Sequence, residues 1–216
     1  MNAVPDDADT PGGRRLLDKG RMEAFSDGVF GFAATLLVVD IVLRPGRTAL
    51  EQVVHTWPSF AAYIISFLTI GTAWLAHTAL TDRLARIDQV FLRLNLLVLL
   101  TVAFLPFPTR LAAEALSETS RERVFITMYG LTLLAIRILG SALDAYARSE
   151  RLYTPQASSG ELRSDRRKLV PVVTGYVIAI LIGLVLPEVA VALYFAIAVY
   201  AIVPFRQVAR LLFRRS

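Results

Sequence analysis

Apolar residues run through this chain in long stretches that are almost free of charge. No Asp, Glu, Lys or Arg occurs from Gln52 to Thr81 or from Leu169 to Pro187. At about 1.5 Å per helical residue, either stretch reaches across roughly 30 Å of hydrocarbon. Comparable runs cover about Met22 to Leu43, Val90 to Leu111, Val124 to Tyr146 and Val189 to Phe213. The pattern predicts an all-α integral membrane protein with six transmembrane helices. Two polar segments interrupt it. Residues 1–20 are rich in Pro, Gly and Asp and read as a disordered tail, which leaves 21–216 as one six-helix unit. Residues 149–168, with TPQASSGE inside them, read as a loop that divides helices one to four from five and six. The first and second halves share no repeat, so an inverted-repeat transporter architecture has no support.

Charge adds an orientation. Seventeen Lys and Arg fall in the N-terminal tail and first helix start, the second and fourth connections and the C-terminus. Five fall on the opposite side: Arg44, Arg47, Arg110, Arg121 and Arg123, with Arg137 inside a span. This bias places both termini in the cytoplasm. A net charge of +5 then needs no nucleic acid, because anionic lipid headgroups facing the basic loops account for it. With no Cys and only His55 and His77, neither a thiolate centre nor a metal-dependent enzyme is expected. A cleavable signal peptide is not expected either, since the first apolar run is long enough to stay as a span.

The candidate chemistry sits at the start of helix one, where the polar pair Ser26-Asp27 opens an otherwise apolar run. A carboxylate near the end of a span is kept where it meets a partner or lines a polar path. Phe25, Val29, Phe32, Leu36, Val39 and Leu43 follow steps of four and three and share one stripe. Gly28, Gly31 and Ala34 lie on other faces, where small residues allow close helix approach. The stripe has two readings. It is a packing or lipid-facing surface, or, with several copies around an axis, Phe32, Leu36 and Val39 form stacked apolar rings that gate by dewetting. Thr35 likewise either bonds back to its own helix or offers hydroxyls between two rings. Trp74 and His77 share a face of helix two, and Asn95 lies within helix three. These donors suggest a buried network around Ser26 and Asp27 that anchors helix one.

The motifs together resemble the bacterial members of the transmembrane protein 175 family, potassium-permeable channels related to the lysosomal potassium channel of animals. The resemblance rests on RxxxFSD (Arg21, Phe25, Ser26, Asp27), the TLLVVDI stretch after it, Trp74-x-x-His77 and Pro106-Phe107-Pro108-Thr109. It covers all six spans and is sharpest in helices one to three. It implies a homotetramer in the cell membrane with helix one of each protomer lining a central pore. Potassium ions and the lipid bilayer are the implied partners, with no cofactor and no metal beyond potassium in passage. By position, the family's apolar constrictions fall on Phe32, Leu36 and Val39 and its pore-facing threonine on Thr35. Arg21, Phe25, Ser26 and Asp27 match its structural motif, and Trp74 and His77 match the helix-two partners of that motif. Phe32 departs from the more usual Ile or Leu. Four such rings would close the axis more tightly or turn their faces toward a cation.

Two other function classes compete with a channel. A hydrolase would recruit Ser26, Asp27 and His77, but adjacent helical residues point about 100° apart, which suits a triad poorly. A proton- or ion-coupled transporter would use Asp27, Asp40, His77 and Arg137 as a relay and would require a polar cavity inside each protomer. Arg137 itself is expected to pair with an acidic residue or with helix-end carbonyls.

Overall fold

A computed structural model of the protein describes residues 19–39, 41, 51, 56–116, 122–155 and 159–202. The described residues form seven helices: α1 (Lys19–Val39), α2 (Trp57–Asp82), α3 (Gln89–Phe104), α4 (Pro106–Ala115), α5 (Glu122–Ser149), α6 (Ser159–Gly183) and α7 (Pro187–Ile202). Among them α1, α2, the continuous run of α3 and α4, and α5 are each long and apolar enough to cross a bilayer. The apolar parts of the last two helices, Val170–Gly183 and Pro187–Ile202, are shorter. For α6 the reason is that its first turns are polar. The sixth expected span ran on to Phe213, and residues 203–216 lie outside the described part, as do Asp40 and Leu43.

Residues 149–168 do not form one long loop. The helix α5 ends at Ser149, and α6 has already begun at Ser159. The segment Glu161-Leu162-Arg163-Ser164-Asp165-Arg166-Arg167-Lys168 is dominated by straight-chain residues that favour helix. Polarity alone misreads it as a connection.

The break between α3 and α4 follows from Pro106. Proline has no N–H, and the Val102 carbonyl accepts instead from Leu105 N–H at 3.1 Å, which tightens the turn. The helical ladder resumes with Thr109 N–H to the Leu105 carbonyl at 3.1 Å. At its other end α3 is capped by Asp88, whose carboxylate accepts from Phe91 N–H at 2.8 Å and from the Tyr146 hydroxyl at 2.9 Å.

The helix α1 lies on α2 and α3 and touches α4, while α2 also supports α5 and α7. The last three helices pack on one another beside them. Outward-facing side chains include Leu100, Leu131, Leu181 and Val185, an apolar exterior suited to lipid. The end of the bundle where α1 begins is closed by a small clasp. Leu84 and Tyr153 form an antiparallel bridge, with Ala85 N–H to the Leu152 carbonyl and Thr154 N–H to the Arg83 carbonyl, each at 2.9 Å. Asp144 accepts from Arg148 and from the Tyr153 hydroxyl. Burial, then Asp144 beside it, holds the Tyr153 phenol above the usual tyrosine range, so it remains a donor.

The clasp begins with a left-handed residue. Leu152 N–H bonds to the Ala147 carbonyl and Arg151 N–H to the Arg148 carbonyl, the paired bonds of a Schellman cap, with Arg151 at φ 53 where glycine is favoured. Replacing Arg151 by Gly is expected to stabilise the fold by about 0.5–1 kcal/mol. Thermal unfolding in detergent checks it, and a lowered Tm would mean that the arginine side chain matters more than its backbone.

Candidate functional site

Two faces of α1 diverge in the structure. Met22, Ser26, Phe30, Ala33 and Leu37 are buried at steps of four, four, three and four, so they form the face that anchors the helix. On the other face Phe25, Phe32 and Val39 are 57%, 66% and 68% exposed. Thr35 is exposed between them, and Leu36 and Val29 are half-buried. Phe25, Gly28, Val29, Phe32 and Leu36 line an open groove of about 460 Å³, with Ala103 of α3 on the facing wall. A methyl group added at Gly28 or Gly31 would meet nothing within 4 Å, so neither glycine serves helix packing within the protomer.

The Thr35 hydroxyl donates to the Phe32 carbonyl at 2.8 Å. That back-bond consumes its proton and leaves its oxygen lone pairs free on the exposed face.

The anchoring face carries a chain of hydrogen bonds whose polarity can be read from one end. The Ser26 hydroxyl gives its proton to the Met22 carbonyl at 2.8 Å, so its oxygen accepts from Asn95 Nδ2 at 3.0 Å. Asn95 is thereby oriented with Oδ1 toward His77 Nε2, 2.7 Å away. A carboxamide oxygen only accepts, so Nε2 carries the imidazole proton. All three side chains are buried, and the His77 ring lies against Phe30 with centroids 5.4 Å apart. Each group in this chain has a partner, as a low-dielectric site requires.

Asp27 stands apart from that chain. It is exposed, and its Oδ1 accepts from Trp74 Nε1 at 2.9 Å on the surface between α1 and α2. The expected single network is therefore two separate links, because neighbouring residues on a helix cannot both face the core. The same divergence keeps Ser26, Asp27 and His77 from forming a hydrolytic set, since His77 Nε2 is engaged by Asn95. Arg21 and Phe25 are exposed at the start of the same helix.

Sequence reasoning missed a second polar seam deeper in the protomer. The Ser66 hydroxyl lies 2.7 Å from both Thr109 Oγ1 and the Tyr129 hydroxyl, joining α2, α4 and α5. Further along, Arg137 Nη2 donates to Thr72 Oγ1 at 2.7 Å. Arg137 is half-buried, and of the partners expected for it, an acidic residue or helix-end carbonyls, no acid among the described residues pairs with it. The available signal was Ser66, Thr69 and Thr72 at steps of three inside an apolar span, each matched by a lone Tyr or Arg on another helix.

Residues 21–106 match the family described as the endosomal/lysosomal potassium channel TMEM175. A Streptomyces collinus protein named as a potassium channel is 35% identical, with 85% of this chain and 91% of that protein covered. A Chamaesiphon minutus protein of the same naming is 34% identical, with 85% and 93% covered. The crystal structure of a lysosomal potassium-selective channel TMEM175 homolog from Chamaesiphon minutus superposes with a TM-score of 0.74 at 32% identity, covering 85% of this chain and 95% of that one. The paired Ser26-Asp27 opening of α1, with Trp74, His77 and Asn95 set against it, falls inside the matched segment, and the chain belongs to the TMEM175 family.

Proposed function

We propose that the protein is a potassium-permeable channel, a homotetramer of six-span protomers in the cell membrane with both termini in the cytoplasm. The α1 helix of each protomer lines the central pore. One observation carries this reading: Phe25, Phe32 and Val39, three apolar groups on one face of α1, point away from the protomer's own core. Around a four-fold axis, Phe32, Leu36 and Val39 stack as apolar rings narrow enough to gate by dewetting. The Thr35 oxygens between them offer lone pairs to a partly dehydrated cation. The names of the Streptomyces and Chamaesiphon relatives supply the ion.

The buried links then act as positioning elements. Ser26, Asn95 and His77 hold the inner face of α1, and the Asp27–Trp74 pair fixes its rotation at the protomer surface, beside exposed Arg21 and Phe25. A coupled transporter would need an exchangeable cation site inside the protomer. The polar seam there combines hydroxyls with an arginine and no carboxylate among the described residues, which repels a cation.

Potassium flux from liposomes holding the purified protein tests the pore. Leu36→Ala and Phe32→Ala, each widening a ring, are expected to raise flux several-fold or weaken the preference for potassium over sodium. Unchanged flux and selectivity in both would remove these side chains from the conduction path. A correctly assembled wild-type protein that passes no potassium would favour coupled transport.

A further inference from the structure

The first turns of α6 carry a charge pattern that the pore reading does not use. In the apolar part of this helix Val170, Thr174, Val177 and Leu181 are exposed, at steps of four, three and four, while Val172, Tyr176, Ala179 and Gly183 are buried on the opposite side. These exposures fix which side of α6 faces outward. At about 100° per residue, that side continues along the same helix through positions 163, 166 and 167, which share an arc of about 100° and are all arginine. Glu161, Asp165 and Lys168 fall on the other side, in line with Tyr176 and Gly183. Both acids are thus kept off the arginine arc. Pro171 lies where the two parts join, and a proline bend tilts the axis without exchanging one side of a helix for the other.

Depth supplies the second constraint. The apolar part, Val170–Gly183, reaches about 21 Å, roughly 9 Å less than the hydrocarbon thickness. Exposed Leu184, Val185 and Leu186 in the turn to α7 add a few ångströms at the far end. The remainder has to come from the basic turns or from local thinning of the bilayer, and either brings positions 163–167 to the phosphate level of the leaflet on the clasp side. One arginine there would be ordinary snorkelling. Three on one outward arc, cleared of acids and continuous with an exposed apolar stripe, match the two ends of a lipid molecule. Guanidinium groups suit phosphate oxygens in a bidentate fork, and the stripe suits an acyl chain. A zwitterionic headgroup would bring a positive charge back to the arc, and an anionic one does not. The positive-inside bias needs only the number of basic residues, so it does not explain why the acids are sorted to the other side.

We propose that the outward arc of Arg163, Arg166 and Arg167 binds the headgroup of an anionic phospholipid, with an acyl chain along Val170 and Val177. The bound lipid sets the depth of α6 in the bilayer. It takes no part in potassium passage, which makes the site independent of the channel reading.

The chain has no cysteine, so Val170→Cys places a single fluorescent label beside the arc. The labelled full chain is reconstituted into vesicles of equal parts phosphatidylglycerol and phosphatidylcholine, with bromine on the acyl chains of one lipid or the other. Bromine quenches at contact and reports which lipid is the neighbour. Brominated phosphatidylglycerol is expected to quench about twofold more strongly than brominated phosphatidylcholine. A label at Leu181→Cys, on the same side of α6 toward the other leaflet, should show no such preference. Replacing all three arginines by glutamine should abolish the preference at the Val170→Cys label. Exchanging two neighbours, Asp165→Arg with Arg166→Asp, keeps the net charge and should still reduce it, which a general attraction of lipid to a basic protein would not do. If the triple variant does not assemble, Arg163→Gln and the exchange carry the test. Equal quenching by the two lipids at Val170→Cys, a preference as strong at Leu181→Cys, or one that survives both the loss of arginine and the exchange would overturn the proposal.

Discussion

Gly130→Ala is expected to destabilise the protomer by about 3 kcal/mol, enough to lose most of the well-assembled protein. A Cβ at this buried position of α5 would lie 2.1 Å from the Tyr194 hydroxyl, 2.7 Å from its Cζ and 2.8 Å from Ile180 Cγ1. None of these neighbours is free to retreat. The Tyr194 ring is fully buried between Tyr129, at a centroid distance of 5.8 Å in edge-on contact, and Tyr176. Relief would require α7 to move off α5. Yield of monodisperse protein and its Tm measure the effect. Adding Tyr194→Phe should recover only part of the loss, because it removes the oxygen contact and leaves Cζ and Ile180 in place. Gly140→Ala on the same helix is the control, since a Cβ there meets nothing within 4 Å. Wild-type stability in Gly130→Ala would mean that the tyrosine is not seated on this glycine.

The second large effect is expected from Asn95→Leu. Leucine keeps the branching of the side chain, but its methyl groups are bulkier than the carboxamide, so some overpacking adds to the polar term at this buried site. The substitution strands the buried His77 Nε2–H and removes the donor to Ser26, at a cost of about 2–3 kcal/mol. Removing the other partner should return part of it. In Asn95→Leu with His77→Phe no imidazole proton is left unpaired, and the new ring has Phe30 to pack on. A double mutant less damaged than the sum of its singles is the expected signature of the bonded pair. Strict additivity would show that the two side chains do not depend on each other. In the channel reading the same variants should also alter flux, because they free the inner face of α1.

How much of this was legible in the sequence depended on whether a residue's role left a periodic trace. The exterior stripe of α1 did, because Phe25, Phe32 and Val39 are large and regularly spaced. Its anchoring face was harder to see, since Ser26 and Ala33 share it with Met22, Phe30 and Leu37, and a mixed stripe has no uniform hydropathy. His77 and Asn95 were visible as polar atoms in apolar spans. Their exclusion of Asp27 was not, because rotation of one residue about a helix is decided by packing. Ser66, Thr69 and Thr72 gave little warning, as isolated hydroxyls in a span usually bond to their own backbone, which Thr69 and Thr72 also do. Arg137 stands out as a charge inside a span, but its partner Thr72 is neither the acid nor the helix-end carbonyl that such a charge suggests. The start of α6 was obscured by its polarity, which resembles a loop in composition while favouring helix in propensity.

The clasp implies an order of assembly. The turn that ends α2 offers the Ala85 N–H and the Arg83 carbonyl, which bond to the Leu152 carbonyl and the Thr154 N–H, synthesised three helices later. By contrast, Ser26, His77 and Asn95 are all present once α3 has been made, so the hydrogen-bond chain that holds α1 closes first. With N-terminal segments emerging and folding first, α1 to α3 form an early subdomain whose open edge at residues 83–85 waits for the end of α5. Truncation after α4 should therefore spare the bonds around His77 and expose that edge to proteases and quality control.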